Sequence, residues 1–214
     1  LKYWDIGQGS YLSDGKAGMS SSKSVTERLF SLFARANYSY QDKYMASAAI
    51  RHEGSSKFGA DHKWGTFPAV SIGWNLKEES FLKNVNFLSF LKLRAGYGIT
   101  GTIPGNPYLS LNTLDLGGYG YYGGQWTTLL RASSNPNPDL RWEKKKETNI
   151  GLDFAFFNDR ISGSIDWYNR DTDDLIWDYT VSVPPYVKNT ITANAGSIRN
   201  RGLEVSLNLS LIHI

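Results

Sequence analysis

The chain has 214 residues, long enough for one large domain, and its 23 basic and 20 acidic side chains leave a net charge of only +3. So small and dispersed a charge gives little support to nucleic-acid binding, and no stretch approaches the roughly 18 consecutive apolar residues of a membrane-spanning helix. The mean hydropathy of -0.38 and the absence of cysteine decide neither the fold nor the cellular compartment. The pattern of residues along the chain therefore has to decide both.

The beginning of the chain predicts a loop that belongs to a longer protein. The sequence opens at Leu1 without Met or a basic and apolar leader, so we expect a fragment. Residues 1–28 are rich in glycine and serine, which favours part of an outer, extracellular loop over a strand. The strand before that loop is then expected to lie outside this sequence.

The first clear alternation of apolar and polar residues runs from Leu32 to Arg51. Apolar side chains occupy every second position on both sides of the polar dipeptide Asp42-Lys43. Because successive side chains of a strand point to opposite faces, this spacing predicts two strands joined by a tight turn.

The same two-residue period recurs five more times, and the second hairpin turns at Asn158-Asp159. Together these stretches predict an all-β fold, an antiparallel up-and-down meander of about seven strands that forms part of a larger transmembrane β-barrel of the outer membrane. The further predicted strands are Val70–Leu76, Leu91–Ile99, Asn149–Phe156, Ile161–Arg170 and Leu203–Leu209.

The connections alternate in length, as they do in outer-membrane barrels with short periplasmic turns and long extracellular loops. The long connections are residues 52–63, 101–142 and 171–195. Residues 77–89 lie on the short side but exceed a tight turn, and we expect a small helical turn there. Aromatic residues make up 14% of the chain, and many stand at predicted strand ends, as in the aromatic girdles at membrane interfaces.

Six phrases of the sequence, in order, resemble the SusC/RagA type of TonB-dependent outer-membrane transporter. That family usually has Gly where Ala34 stands and Ser where Gly96 stands, both mild changes at small-residue positions. The phrases are Leu32–Tyr40, Arg51–Gly59, Trp64–Trp74, Leu91–Gly101, Asn137–Glu143 and Asn194–Glu204.

The resemblance implies a middle-to-late part of a barrel of about 22 strands, with residues 29–211 as barrel and 212–214 as a truncated end. It implies a Bacteroidota outer-membrane protein that imports bulky oligosaccharides or peptides, surrounded by outer-membrane lipid. A SusD-like lipoprotein would cover the outer mouth, and the TonB complex would act through an N-terminal part that this sequence lacks.

Charged residues on the polar face of the predicted strands are expected to face the lumen and its plug domain, because charge is far costlier against lipid. Pairing between the barrel wall and the plug is their expected role. These residues are Arg35, Arg51, Lys92, Arg94, Asp153, Asp166, Arg170 and Glu204.

Aromatic side chains interleaved with glycine in the longest loop suit stacking on sugar rings or on peptide backbone. Packing of that loop onto a neighbouring protein is the competing interpretation. The candidate ligand contacts are Tyr119, Tyr121, Tyr122 and Trp126, with Trp177 and Tyr179 in the next outer loop.

The sequence offers no chemistry to assign to an enzyme. The run Gly96–Gly101 has the letters of a dinucleotide fingerprint, but no helix follows it to hold a pyrophosphate. His52 and Glu53 lack the helical spacing of a zinc site, and the loop carboxylates near Asp173 are better explained by solvation than by calcium binding. We therefore predict no catalytic residue, no metal site and no cofactor.

Two other functional classes share parts of this pattern. A passive porin or adhesin barrel has the same strands without an upstream plug and TonB-contacting segment. A soluble carbohydrate-binding β-sandwich also alternates, with the apolar face as its core. The alternating loop lengths, the aromatic strand ends and the resemblance favour the transporter barrel.

Overall fold

The computed structural model describes residues 25–210. Residues 1–24 of the predicted first loop, residue 211 of the predicted barrel segment and the predicted truncated end, residues 212–214, lie outside this range. Within it, no helix is long and apolar enough to cross a membrane. The strands are β1 (Leu29–Tyr40), β2 (Tyr44–Ser55), β3 (Trp64–Asn75), β4 (Leu88–Thr102), β5 (Leu114–Tyr122), β6 (Gln125–Ala132), β7 (Glu143–Phe156), β8 (Ile161–Asp173), β9 (Ile176–Thr180), β10 (Thr190–Asn194) and β11 (Ser197–Leu209).

Seven long strands form one antiparallel sheet in the order β1-β2-β3-β4-β7-β8-β11. Every predicted strand is present in this sheet, and the predicted up-and-down meander is confirmed. The strands extend beyond the predicted bounds, mainly toward the long loops. Two hairpins that the sequence pattern did not predict, β5–β6 and β9–β10, are inserted in those loops.

The short turns lie at the opposite end of the sheet from the inserted hairpins. Gln41 and Asp42 adopt positive φ between β1 and β2, and Lys43 N–H donates to Tyr40 O at 3.0 Å. The turn between β7 and β8 likewise places Asn158 and Asp159 in the left-handed region, which these residue types tolerate better than most. The longer connection after β3 begins with a 3-10 helix, Leu76–Glu78, as the expected helical turn requires.

The register separates an apolar face from a polar face across all seven strands. Residues 25–210 form no second large sheet over the apolar face, whereas a β-sandwich packs two such sheets together. One hydrogen-bonded row on the apolar face joins Tyr38, Ala46, Ile72, Ala95, Ile150, Trp167 and Leu203. The next row, on the polar face, joins Ser39, Met45, Gly73, Arg94, Gly151, Asp166 and Glu204.

The apolar band is staggered from strand to strand. Tyr38 lies near the short-turn end of β1, whereas Leu203, in the same row, is the last apolar outward residue before Arg201 toward the loop end of β11. The strand ends are displaced in the same direction, since Tyr40, the last residue of β1, shares a row with Val205, four residues before the end of β11. Displacement of this kind is what a tilted sheet produces. Strands of closed barrels tilt by roughly 35–45° from the barrel axis.

A small buried core stands at the long-loop end, where the pairing of β3 with β4 ends at Ala69 and Gly98. Its members are Phe58, Phe67, Leu140 and Trp142, with Leu140 completely buried. The Phe58 and Trp142 rings lie 4.7 Å apart. The four residues come from three separate segments of the chain, which therefore pack into one core. This core holds the bases of the long loops against the sheet.

Candidate functional site

The polar face carries all of the charged residues that the sequence analysis assigned to the lumen. Their positions alternate with the apolar residues on each strand, and the register brings them onto one face. The structure thus collects Arg35, Arg51, Lys92, Arg94, Asp153, Asp166, Arg170 and Glu204 on the face opposite the apolar band.

Arg94 on β4 is the centre of a three-strand ionic cluster. Its guanidinium donates to both oxygens of Asp153, with distances of 2.7 Å to Oδ2 and 2.8 Å to Oδ1. It also donates to Asp166 Oδ1 at 2.9 Å. The one guanidinium and two carboxylates of the cluster carry a formal charge of −1, and Lys92 lies in the row opposite Asp153 on the same face.

Other charges of this face divide into paired and unpaired groups. Arg170 donates to Glu147 at 3.0 Å, and Arg51 pairs with Glu53 on the same strand. Within residues 25–210 no ion pair is found for Lys92 or Glu204. Lys92 on β4 therefore lacks an ion-pair partner within these residues, whereas Glu204 on β11 interacts electrostatically with Arg170 without forming an ion pair.

A shallow groove crosses the polar face over β1 to β4, with a volume of about 510 Å³. Its floor is made of small residues, among them Ser47, Ser71, Gly73 and Gly96. Lys92 stands at its border and lays its side chain over Gly73, because a Cβ there would lie 3.1 Å from Lys92 Cε. Because the side chains of the groove floor are small, another surface can approach the backbone there closely.

The predicted aromatic loop is the hairpin β5–β6. Tyr121 and Trp126 face each other across the two strands in a T-shaped contact of 5.6 Å, and they are 65% and 72% exposed. Tyr119 shares their face by alternation, whereas Tyr122, 84% exposed, lies on the other face. The hairpin turn uses Gly123 and Gly124 at positive φ, as two-residue turns of this kind require.

The second aromatic pair belongs to the other hairpin, β9–β10. Trp177 is exposed, whereas the hydroxyl of Tyr179 donates to Ala195 O at 2.6 Å and so fixes the hairpin to the start of β11. The six predicted ligand contacts therefore lie on two separate hairpins. Tyr179 has a structural contact besides any role in binding.

Asn135 attaches the β9–β10 region to the loop before β7, which the sequence analysis did not foresee. Its buried amide donates to Lys188 O at 2.7 Å and Thr190 O at 2.8 Å. Its carbonyl oxygen accepts from the backbone N–H groups of Val187 and Lys188 at 3.0 and 3.1 Å. All four hydrogen-bonding positions of the amide are used, so this residue rigidly links two outer loops.

Arg141 and Asn194 continue this link toward the sheet. The Asn194 side chain accepts from Arg141 N–H at 2.8 Å and donates to Arg141 O at 2.7 Å. The Arg141 guanidinium donates to Asp174 at 2.7 Å and holds the pKa of that carboxyl below its usual range. The neighbouring carboxylates pair separately, Asp173 with Lys146 and Asp171 with Arg199. Each acidic side chain therefore has its own cation.

Lys57 joins the chain before β1 to two other loops. It is 7% exposed, and its ammonium donates to Pro104 O at 3.1 Å and Gly105 O at 2.9 Å. A third contact, 3.3 Å long, reaches Glu27 Oε2. The three donors of the buried ammonium are thereby matched. Asn135, Arg141 and Lys57 lie within or next to phrases of the family resemblance, which was the only sequence signal for them.

The glycine run Gly96–Gly101 lies inside β4, and residues 103–113 follow it as a loop. Backbone extended in a strand has no helix N-terminus to offer a phosphate. His52 stacks on Trp64 at 5.0 Å and contacts Thr66 Oγ1 through Nδ1 at 2.9 Å. Both motifs thus have structural roles in the sheet.

Comparison with known proteins places this arrangement among receptors of bacterial membranes. The sequence model of the family described as TonB dependent receptor-like, beta-barrel matches residues 3–212. The chain is 41% identical over 201 residues to the TonB-dependent receptor SusC of Bacteroides thetaiotaomicron, covering 91% of the chain and 20% of SusC. It is 40% identical over 184 residues to the TonB-dependent receptor P39 of Formosa agariphila, covering 86% of the chain and 17% of P39.

Comparison with solved structures agrees with the sequence matches. The RagAB peptide transporter superimposes with a TM-score of 0.79 at 28% identity, over 87% of this chain and 20% of that chain. The siderophore receptor PirA from Acinetobacter baumannii shares the fold with a TM-score of 0.58 at 20% identity. The chain spans about a fifth of the length of the curated relatives it matches. These relatives are receptors and transporters, which confirms the prediction of a protein without enzymatic activity.

Proposed function

The chain belongs to the TonB-dependent receptor β-barrel family, and we propose that it forms part of the wall and outer loops of an active outer-membrane importer. The imported nutrients are bulky oligosaccharides or peptides. The observation that carries this proposal is a single sheet with an apolar band across all seven strands on one face and charged residues on the other. Such a sheet needs lipid on one side and a polar interior on the other.

The location proposed for the chain is the outer membrane, where the seven strands cross the bilayer. Short turns at Asp42 and Asn158 then face the periplasm, and the inserted hairpins face the outside. Exposed aromatic side chains near both ends of the strands, such as Tyr40 and Trp64, suit the two interfaces. The rest of the barrel, the plug and the TonB-contacting segment belong to the remainder of a longer protein.

The charged face is proposed to line the lumen and to contact the plug. Arg94 has its carboxylate partners within the wall, so it stabilises the barrel itself. Lys92 and Glu204 form no such pair within the described residues and are the side chains that a plug surface of opposite charge can engage. The contact with the plug is therefore assigned to these two residues and to Arg35, whose hydrogen bonds go to the neutral Asn37 and Ser47.

The aromatic face of β5–β6 is proposed to contact the nutrient. Tyr121 and Trp126 present adjacent rings without filling a core, which favours stacking on a sugar face or a peptide plane. Packing onto a neighbouring protein is the second candidate role for the same hairpin. It is favoured by the exposure of apolar residues such as Leu130, 63% exposed, beside those rings.

The proposed partner at the outer mouth is a SusD-like lipoprotein. Support comes from the similarity to SusC and from the two-component RagAB transporter, whose name describes peptide transport. In this proposal the partner and the outer loops capture the nutrient. Energy transmitted through TonB then displaces the plug, and the nutrient passes along the lumen wall.

The test of this function uses the full-length parent protein in its own host. Uptake of labelled oligosaccharides and of labelled peptides is measured with the intact gene, with the gene deleted, and with TonB inactivated. An active importer loses uptake in both mutants. Uptake that persists without TonB identifies a passive barrel and overturns the proposal.

A further inference from the structure

We propose that the apolar face contains a preformed site for a phospholipid acyl chain, on the strands β1 to β4 near their short-turn end. The inference rests on the proposed membrane location and goes beyond it, because it assigns a particular site to a particular lipid class. The site is an apolar groove of about 610 Å³. That volume lies within the roughly 300–1,000 Å³ of ordinary small-ligand pockets.

The groove exists because small residues on inner strands are surrounded by large ones. Ala46 on β2 and Ala95 on β4 belong to the same hydrogen-bonded row and form the floor on either side of Ile72, which projects between them from β3. Taller side chains rise on all sides of them. The surrounding residues that line the groove are Tyr38, Tyr44, Ile72, Trp74 and Leu93.

The groove is held open by a polar anchor at its short-turn end. The Tyr44 hydroxyl donates to Glu79 Oε1 at 2.6 Å, and Trp74 Nε1 donates to the same oxygen at 3.1 Å. The two rings stack with centroids 6.3 Å apart and an interplanar angle of 20°. Because both rings are tied to one carboxylate, neither can fold over Ala46 and fill the groove. Such preorganisation lowers the cost of binding a chain there.

The same end carries one cation, Lys43, and one carboxylate, Glu79, which together are formally neutral. Lys43, in the turn directly before Tyr44, places its ammonium 3.6 Å from Glu79 Oε2 and remains 26% exposed. An acyl chain in the groove brings the headgroup of a periplasmic-leaflet phospholipid to this turn. The apolar floor, the ordered aromatic end and the Lys43–Glu79 pair occur in the order of a phospholipid from its acyl chain to its headgroup.

Lipid is the occupant that the surroundings specify. The groove opens on the face whose apolar row continues across all seven strands, and the plug and lumen lie on the opposite side. Further strands of the barrel extend the sheet at its edges and do not cover Ala46 or Ala95, which lie on inner strands. The acyl chains of the bilayer are what meets this surface.

The test uses the full-length protein, purified from outer membranes and stripped with detergent, with retained phospholipid counted by native mass spectrometry. Ala46→Leu and Ala95→Leu fill the floor, and Ala36→Leu adds the same volume on the apolar face outside the groove. We expect wild type and Ala36→Leu to retain phospholipid, and the groove-filling variants to retain roughly tenfold less. Glu79→Ala, which frees the two rings, should also lower retention.

Equal retention in all variants overturns the site. So does a correctly assembled wild-type barrel that keeps no phospholipid, or one in which a second protein copy covers the groove. Assembly in the outer membrane, scored by heat-modifiable mobility, and nutrient uptake are measured on the same samples. A barrel that assembles and transports but retains no lipid therefore fails this inference alone, without affecting the proposed function.

Discussion

Arg94 on β4 and Asp166 on β8 form a 2.9 Å ion pair although a whole strand separates them. The strand between them is β7, and the residue it places in their row is Gly151. A side chain at that position would meet Asp166 Oδ1 and lie 2.8 Å from Arg94 Cζ. The missing Cβ of a glycine is thus what allows three strands to share one ionic cluster.

Replacement of Gly151 by Ala is expected to separate Arg94 from Asp166 while leaving the Asp153 contact. The loss should lower the free energy of unfolding of the full-length barrel by roughly 1 kcal/mol, a modest value because the pair is partly screened by solvent. Urea unfolding in lipid vesicles measures the change. Gly96→Ala is the matched control, since its Cβ has no neighbour closer than 3.8 Å. Equal losses in both variants would show that the cluster does not depend on Gly151.

Replacement of Asn135 by Ala is expected to release the link between the loop before β7 and the β9–β10 region. The backbone groups of Lys188 and Thr190 lose their partners, at a total cost of about 1 kcal/mol, because Lys188 is only half-buried and Thr190 is exposed, so water can replace the lost hydrogen bonds. The measurement is limited proteolysis of residues 181–189, which should become several-fold faster. Asn112→Ala, at an exposed position of the same outer region, serves as the control and should leave the cleavage rate unchanged.

The contact of Arg141 with Asp174 predicts an acid-sensitive loop. Hydrogen bonding to Arg141 keeps the pKa of Asp174 below its ordinary value of 3.8 when the loop is folded. The contact therefore stabilises the loop fully above that value, and the stabilisation is lost as the pH falls through the lowered pKa. Pepsin cleavage near residues 190–196, followed from pH 5 downward, should rise only in that acid range.

Arg141→Gln supplies the comparison for this pH dependence. Without the guanidinium, the pKa of Asp174 should return toward its ordinary range, so the acid-induced step should vanish and cleavage should be faster at every pH. A variant with the same acid step as wild type would assign the pH dependence to another group.

Alanine replacement of Tyr121 and Trp126 is expected to weaken nutrient binding by roughly tenfold, since stacking on an aromatic ring contributes about 0.5–1.5 kcal/mol beyond its buried area. Uptake by the full-length transporter measures the effect, and co-purification of the lipoprotein partner is followed in parallel. Tyr122→Ala, on the other face of the hairpin, tests separately whether that face also contacts the nutrient, as the sequence analysis predicted. Unchanged uptake with loss of the co-purifying partner would favour the protein-contact role of this hairpin. If uptake and co-purification are both unchanged, the hairpin has neither the nutrient-binding nor the protein-contact role.

The sequence by itself determined the strands and their faces, because a period of two residues is a local property of a β-strand. The apolar residues of Leu203–Leu209 and the charges at Arg94 and Asp166 were placed on the correct faces from alternation alone. The short turns at Asp42 and Asn158 were also predicted locally, from residue types that favour left-handed backbone.

Only the tertiary structure decided which residues meet across the sheet and between the loops. Register, which alternation within one strand does not specify, brings Arg94 beside Gly151 and Asp166, and it sets the stagger that corresponds to the tilt of a barrel. The β5–β6 and β9–β10 hairpins pair residues at most 18 positions apart, but the sequence pattern did not reveal them within the long loops. The Asn135 link joins residues 52 to 55 positions apart. Such long-range pairings arise when the whole chain packs, so no local sequence pattern predicts them.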